Sequence, residues 1–115
     1  MIITDEKKLL LALGMCARAR KLTTGVDMIC EALRAGGAQA PRLAVMASDV
    51  SENTKKRLTD RCAYYQIPLV AVKSDTIALG NAVGKKAAVA AVAVPEGNLL
   101  RLVEQYLRED EDGLE

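Results

Sequence analysis

The residues with the clearest chemical potential follow an apolar run, residues 43–47, that predicts a buried strand. Residues 48–51 have turn and cap composition, and the helix expected from Glu52 carries Lys55, Lys56 and Arg57 in its first two turns. A helix N-terminus already holds about half a positive charge, so stability alone favours acidic residues there. Amide, ammonium and open backbone N–H groups at the end of a strand suit a phosphate instead. The alternative interpretation is the solvated basic face of an amphipathic helix.

Two further segments carry the same kinds of groups. Residues 21–27 lead into a second predicted helix, and residues 83–88 hold a glycine followed by two lysines. In the predicted fold these segments and the strand–helix junction lie at one end of the domain. Lysine binds phosphate by charge, while hydroxyl, amide and backbone N–H groups fix its register. The members of this candidate anion-binding surface are Lys21, Thr24, Gly25, Asn53, Thr54, Lys55, Lys56, Gly84, Lys85 and Lys86.

The composition argues against catalysis. Histidine is absent, which removes both the commonest general base and the commonest metal ligand. The chain also lacks a phosphate-cradling GxxxxGKS/T loop and a convincing nucleophile–base pair. Because Phe and Trp are absent and Tyr occurs three times, the chain lacks the aromatic platforms on which many RNA-binding sheets stack bases. We therefore expect a protein that is not an enzyme and that binds no cofactor and no metal.

The net charge of +1 conceals an asymmetry along the 115 residues. Residues 109–115 hold five acidic groups and no basic one, whereas residues 1–108 hold 16 basic and 10 acidic residues, a net charge of +6. A moderately basic body fits an anionic partner. The length predicts a single domain over residues 1–108, followed by an acidic, flexible tail.

The cysteines and the N-terminus bear on location. Cys16, Cys30 and Cys62 are widely spaced and lie in apolar helical patterns, which favours small core residues in a reducing compartment. The first residues lack the layout of a signal peptide, and no apolar stretch approaches the ~20 residues that span a bilayer. We expect a cytoplasmic protein without a membrane partner.

Hydrophobic periodicity predicts alternating helices and strands. Helices are expected from Thr4 to about residue 20, from Thr24 to residue 36 with a Thr24–Asp27 capping box, from Glu52, from Ser74 to about residue 83, and after Pro95. Strands are expected at residues 42–47, 68–72 and 87–94, with residues 21–23 as a short edge strand. The helix between the first two long strands suits a parallel crossover. This order predicts a three-layer α/β/α sandwich around a small mixed sheet.

Three motifs make the chain resemble a known family. They are Ala-Arg-Lys-Leu-Thr-Thr-Gly at residues 19–25, Ser-Glu-Asn-Thr-Lys-Lys-Arg-Leu-Thr-Asp-Arg-Cys at 51–62, and Leu-Gly-Asn-Ala-Val-Gly-Lys at 79–85. Over residues 5–107 the chain is similar to the YlxQ-type bacterial branch of the ribosomal protein seven-Ae and thirty-e superfamily. The resemblance implies an α/β/α fold and a small protein that binds kink-turns in structured RNA. It also makes ribosomal RNA a candidate partner and ribosome association an expectation.

The resemblance also assigns roles at the start of the second helix. In RNA-binding relatives an Asn and a Lys of that helix donate to guanine edges, and the corresponding stretch here holds Asp27, Met28 and Glu31. Guanine O6 and N7 are acceptors, so ionised carboxylates cannot donate to them. The expected contacts are therefore mainly to phosphate. The alternatives are that Asp27 caps its helix, that Glu31 pairs with Arg34 or Lys21, and that the chain is a protein-interaction adaptor that has lost RNA recognition.

Overall fold

Helices and strands alternate over residues 1–109, the part of the chain that this computed structural model describes. The strands are β1 (Ile2–Ile3), β2 (Thr23–Thr24), β3 (Pro41–Met46), β4 (Leu69–Ala71), β5 (Ala91–Pro95) and β6 (Leu107–Arg108). The helices are α1 (Glu6–Arg18), α2 (Val26–Ala35), α3 (Glu52–Tyr64), α4 (Thr76–Ala82) and α5 (Asn98–Glu104). The predicted acidic tail lies outside the described residues except for Glu109.

The central sheet is mixed and has the strand order β2-β5-β3-β4. β3 and β4 are parallel and are joined through α3, as the sequence predicts. β5 is antiparallel to both of its neighbours, β2 and β3. A second pair of strands, β1 and β6, joins the two ends of the described chain and was not predicted.

Side-chain alternation along β3 sorts the core into two layers. Leu43 and Val45 pack in the cluster formed with α1, α4 and α5, whereas Ala44 and Met46 pack in the cluster formed with α2 and α3. Successive side chains of a strand point to opposite faces, so a sheet covered on both sides is apolar throughout. β5 is buried along its whole length, as a strand covered on both faces requires. The predicted three-layer α/β/α sandwich is confirmed.

Two predicted helix caps are wrong, and in each case the next residue, an aspartate, caps the helix instead. Asp5, not Thr4, caps α1 by accepting the N–H of Lys8 at 3.1 Å. The N–H of Thr4 instead donates to the carbonyl of Tyr106 at 2.9 Å, beside the β1–β6 pair. The helix ends at Arg18, short of its predicted end.

The second wrong cap lies at the start of α4. Asp75, not Ser74, caps this helix by accepting the N–H of Ala78 at 2.8 Å. The hydroxyl of Ser74 donates to Glu6 instead. A cap is therefore taken by the neighbouring residue when the expected hydroxyl has a stronger, charged acceptor within reach.

The strand predicted at residues 87–94 starts later in the structure, where it is β5. β5 begins at Ala91 because the preceding segment leaves the sheet, and the N–H of Val89 donates to the carbonyl of Thr76 at 3.0 Å. Pro95 is the last residue of the strand and not the start of the helix, which begins at Asn98. Within the described residues, no helix has the length and apolar character needed to cross a bilayer.

The carboxylate of Glu6 joins the start of α1 to the segment after β4. It accepts the backbone N–H groups of Lys73 and Ser74 at 2.8 and 2.9 Å, and the Ser74 hydroxyl at 2.7 Å. Burial acts to raise the pKa of Glu6, but these hydrogen bonds favour the charged form and leave the pKa below its ordinary value of 4.5. The ionised carboxylate therefore stabilises the fold.

We expect Glu6→Gln to lower the free energy of unfolding by about 1–2 kcal/mol at neutral pH, because an amide cannot accept on both arms. The pKa of Glu6 is lower in the folded state than in the unfolded state. Its contribution to the free energy of unfolding is therefore fully present above the unfolded-state pKa, and it is lost as the pH falls through the folded-state pKa. The difference between wild type and variant should therefore shrink below about pH 4.5. Urea denaturation at a series of pH values measures it.

Glu52 provides the matched control, since it is likewise the first residue of its helix but is exposed. Glu52→Gln should change the free energy of unfolding by less than about 0.5 kcal/mol. An equal loss in both variants would show that the helix dipole, and not the contact with residues 73 and 74, accounts for the effect of Glu6.

Candidate nucleic-acid interface

The strand directions bring three loops to one edge of the sheet. Because β5 runs against β2 and β3, its first residue lies beside their last ones, and Met46 pairs with Ala91. The N–H of Gly25 donates to the carbonyl of Ala91 at 2.9 Å. The loops that follow β2 and β3 and the loop that precedes β5 therefore meet. We call this the Gly25 edge, formed by Gly25 and by residues 47–51 and 84–90.

The first helix that begins at this edge is α2. Thr24 is the last residue of β2, so the predicted helix start at Thr24 and its capping box are wrong. Gly25 is the N-cap, with φ +98°, a backbone conformation that favours glycine, and α2 has no side-chain cap. The N–H groups of the first turn of α2 thus lack a side-chain acceptor, which is the arrangement that binds anions at helix starts.

The second helix that begins at this edge is α3, and its cap, Ser51, lies within the segment 48–51 that was predicted to supply the turn and the cap. The Ser51 hydroxyl oxygen accepts the N–H of Thr54 at 3.2 Å and lies 3.0 Å from the Thr54 hydroxyl. Asn53 and Lys55 are exposed beside this cap. Lys56 is also exposed and lies 3.3 Å from the carboxylate of Asp60, one turn along the helix. The first turn of α3 therefore presents an amide and two ammonium groups to solvent.

Asp49 fixes the loop between β3 and α3. Its carboxylate accepts the backbone N–H of Thr76 at 2.8 Å and the Thr76 hydroxyl at 3.3 Å. This contact holds the loop against the start of α4. Residues 84–90, the third segment of the Gly25 edge, follow the other end of α4. The helix therefore fixes the position of the loop relative to that segment.

The third segment is the turn after α4. Gly84 has φ +79°, and the N–H groups of Gly84 and Lys85 donate to the carbonyls of Asn81 and Gly80, at 3.1 and 2.9 Å. This pair of bonds is a Schellman motif, in which glycine is the usual residue, so the predicted helix stop is confirmed. Lys85 and Lys86 follow it and are exposed.

A groove of about 480 Å³ opens beside this turn, between the end of α1, β2 and the end of α4. Three cationic residues line it, Arg18, Arg20 and Lys85, together with Thr24 and Gly84. The two arginines were not among the predicted site residues. Their signal in the sequence is the alternating basic run at residues 18–21, which closes the first helix.

Arg20 has an unusual backbone conformation for its residue type. It has φ +61° and occupies the glycine position of a Schellman motif, in which the N–H of Lys21 donates to the carbonyl of Cys16 at 2.8 Å. Gln66 has φ +60° in the same motif at the end of α3. A residue with a Cβ atom is strained in this region, so glycine would be the more stable choice at both positions.

The remaining predicted site residues lie in different places. Lys21 lies at the opposite edge of the sheet, in a second groove beside Pro95 and Gly97, so the prediction that it joins the other residues is wrong. Lys21 and Gly25 lie on either side of β2, whereas the preceding residue, Arg20, lines the first groove beside Thr24. Met28 is 55% exposed and therefore is not a core residue. Glu31 is exposed, and the ion pairs of the described residues do not include it.

Asp27 does not cap α2. Its carboxylate oxygen Oδ1 lies 2.6 Å from Nη1 of Arg57, on the next helix. The side chain of Asp27 is 86% exposed and that of Arg57 is 45% exposed. This ion pair joins the first turn of α2 to the second turn of α3, close to the Gly25 edge.

The described residues hold neither an evident nucleophile nor an evident metal site. The three cysteines are free and buried, and burial raises the pKa of Cys62 to about 11. A second, smaller cause of that rise is the neighbouring Cys30. Over residues 1–109, no three Cys, Asp or Glu side chains lie close enough together to hold a metal ion.

Comparison with known proteins settles the family. The model of the ribosomal protein L7Ae/L30e/S12e/Gadd45 family matches residues 7–103. The chain belongs to this family. It is 35% identical over 91 residues to the RNA-binding protein YlxQ of Bacillus subtilis (strain 168), a match that covers 79% of this chain and 87% of that protein. YlxQ of Enterococcus faecium is 33% identical over 64 residues, 56% of this chain and 59% of that protein. The predicted resemblance to the YlxQ-type branch is confirmed.

Two solved structures share this fold. A protein with unknown function from Bacillus halodurans C superposes with a TM-score of 0.76 at 34% sequence identity, over 89% of this chain and 98% of that one. The 15.5kD RNA binding protein of Giardia lamblia superposes with a TM-score of 0.70 over 88% of this chain and 86% of that one, at 16% identity. At that identity the second comparison supports the fold alone.

We expect Arg20→Gly and Gln66→Gly each to raise the free energy of unfolding by roughly 0.5–1 kcal/mol, because glycine relieves the strain of the left-handed conformation but adds freedom to the unfolded chain. Urea denaturation of the two variants measures this. A loss of stability in Arg20→Gly alone would show that the Arg20 side chain makes stabilising contacts that outweigh its backbone strain.

Proposed function

We propose that this chain binds structured RNA at the Gly25 edge, mainly through the phosphate backbone, and that kinked RNA of the kink-turn class is its target. One observation carries the proposal. Two helix starts, one of them without a side-chain cap, and a basic groove meet at a single edge of the sheet. The two YlxQ relatives are named as RNA-binding proteins, which supports RNA as the ligand.

The arrangement of positive charge fits a bent backbone. Thr24 lines the groove that contains Arg18, Arg20 and Lys85, and three residues later Asp27 contacts Arg57 of α3. The start of α2 therefore lies between two basic sets of residues. One set is Arg18, Arg20 and Lys85 in the groove, and the other is Lys55, Lys56 and Arg57 on α3. A straight duplex presents its backbones along one direction, whereas a kinked RNA can direct one backbone segment to each set. Base edges near the bend would then face α2.

Binding, and not catalysis, is the proposed activity. The whole chain lacks histidine, and its three thiols are buried in the core. The candidate surface instead offers ammonium, guanidinium, amide and backbone N–H groups, which are the groups that contact phosphate in nucleic-acid complexes. Ribosomal RNA is one source of kinked structures, so the proposed setting is the cytoplasm, in association with the ribosome.

We expect Lys55→Glu with Lys56→Glu, and separately Lys85→Glu with Lys86→Glu, to weaken binding of a kink-turn RNA by about tenfold or more while the domain stays folded, because each pair contributes phosphate contacts. Fluorescence anisotropy at several salt concentrations measures the Kd. Wild-type affinity should fall steeply with salt, and each double variant should show a shallower log–log slope, since fewer counterions are released.

Two matched controls separate this surface from general charge. Lys7 and Lys8 are exposed near the start of α1, at the far end of that helix from the groove, so reversing them should have a much smaller effect. Arg20→Gly should weaken binding, whereas Gln66→Gly, the same backbone change outside the groove, should not. Equal losses in all the lysine variants, or no binding by wild type at low salt, would contradict the proposal.

A further inference from the structure

Two large apolar side chains are exposed next to each other on α1. Leu11 is 63% exposed and Met15 is 45% exposed. They lie four residues apart, so they are neighbours on the surface of the helix. Among residues 1–109, no two of the other exposed large apolar side chains share a helix or strand. A single exposed apolar side chain is ordinary, whereas a continuous apolar surface marks a site of interaction.

The exposed pair opens into a groove between α1 and α5. This groove has a volume of about 210 Å³ and is lined by Lys8, Leu11, Ala12, Met15, Leu102 and Tyr106. Leu102 and Tyr106 are half-buried, so the fold covers only part of their apolar surface. We call this surface the α1 groove. A further apolar side chain that enters it would gain contacts that the fold leaves unmade.

Cationic residues border the α1 groove. Lys7, Lys8 and Arg18 are exposed on α1, and the ion pairs of the described residues include none of them. Lys7 and Lys8 lie in the first turn of the helix, where the dipole disfavours positive charge. The stability of the helix therefore does not account for these lysines, whereas an acidic ligand over the groove does.

The acidic residues near these lysines are engaged elsewhere. The carboxylates of Asp5 and Glu6 accept backbone N–H groups, those of Lys8 and of residues 73 and 74. Glu104 of α5 lines a different groove, which also contains arginine side chains. The α1 groove is therefore an apolar surface with a positive border.

The side chains of Lys8, Leu11, Met15 and Arg18 form one line along α1. Their spacing of three, four and three residues places them on one side of the helix over about 15 Å. The line has aliphatic residues at its centre and a cation at each end. A second copy of the chain, packed antiparallel on this line, would place Lys8 opposite Arg18 at both ends, and like charges there repel. The line therefore suits a different chain that carries negative charge.

We propose that the α1 groove docks an acidic amphipathic helix of another protein. Aliphatic side chains three or four residues apart on that helix pack against Leu11 and Met15, and one of them enters the groove beside Tyr106. Its Asp and Glu side chains lie against Lys7 and Lys8. The flexible side chain of Met15 adapts to the aliphatic residues that it meets. Nucleic acid fits this surface less well, since the aliphatic centre offers no donor to a phosphate.

This inference goes beyond the proposed function and does not depend on it. α1 belongs to the helical layer that it forms with α4 and α5, whereas α2 and α3 form the other layer. One residue of the line, Arg18, also lines the basic groove beside Gly84. The partner helix and the RNA can therefore bind the same molecule, and the test variants leave Arg18 unchanged.

Photocrosslinking in the native host tests the proposal. The full chain carries either Leu11→p-benzoylphenylalanine or Met15→p-benzoylphenylalanine. We expect both variants to form a covalent adduct with the same protein. The crosslinked segment should contain more acidic than basic residues, and its aliphatic residues should be spaced three or four apart. A synthetic peptide of that segment should then bind the purified chain, as measured by fluorescence anisotropy.

Leu11→Asp, and separately Lys7→Glu with Lys8→Glu, should each weaken the binding of this peptide by about tenfold or more. The first change removes a central apolar contact, and the second reverses the charge of the border. Met28→Asp is the matched control, because Met28 is 55% exposed on α2, in the other helical layer. It should leave the affinity for the peptide unchanged. Thermal melting should show that every variant is folded.

The absence of an adduct, or an adduct with RNA, with the chain itself or with a second copy, would overturn the proposal. A crosslinked segment that is not acidic, or unchanged peptide binding in Leu11→Asp or in the double lysine variant, would do so as well. Leu11→Asp should bind a kink-turn RNA with wild-type affinity, so a failure of docking leaves the proposed function standing. Failure of wild type to bind that RNA would contradict the proposed function alone.

Discussion

The structure depends on the position of β5 between β2 and β3. Because this strand runs against both neighbours, its start lies beside their ends. The hydrogen bond from Gly25 to Ala91 joins the residue after β2 to the first residue of β5. The buried valines and alanines of β5 hold both helical layers in place. A shift of one residue in this strand would exchange its two faces, so the core fixes the register and thereby the arrangement of the loops.

Carboxylates on backbone N–H groups give the edge its shape without neutralising its charge. Asp49 binds the start of α4, and Glu6 binds the segment after β4. Both anions are satisfied mainly by neutral donors, which leaves Lys55, Lys85 and Lys86 outside the ion pairs of the described residues. Two other carboxylates do contact cations of this surface, Asp60 at Lys56 and Asp27 at Arg57. The surface is therefore basic on both sides of one fixed acid–base pair.

Hydrophobic periodicity was sufficient to predict the sandwich and the parallel crossover, and composition was sufficient to predict a cap within residues 48–51, because those features depend on local sequence and on burial. It failed where a distant residue competes for a local group. The backbone N–H of Thr4 bonds to Tyr106 and the hydroxyl of Ser74 bonds to Glu6, both far away in the chain, and the next residue caps the helix in each case. The pairing of Asp27 with Arg57, thirty residues apart, leaves no local signal. The motif at residues 19–25 did mark the groove, but composition alone could not show that the adjacent residues Arg20 and Lys21 would line two different grooves.

The central claim is that RNA binds at the Gly25 edge and not elsewhere on the basic body. Backbone amide chemical-shift mapping by NMR, with a kink-turn RNA added to the folded protein, tests it most directly. The account predicts that the largest shifts occur at Gly25, Asn53 and Gly84, where the three segments meet. Shifts concentrated instead at Gly36, Gln66 and Gly97, which lie at the opposite edge, would contradict it.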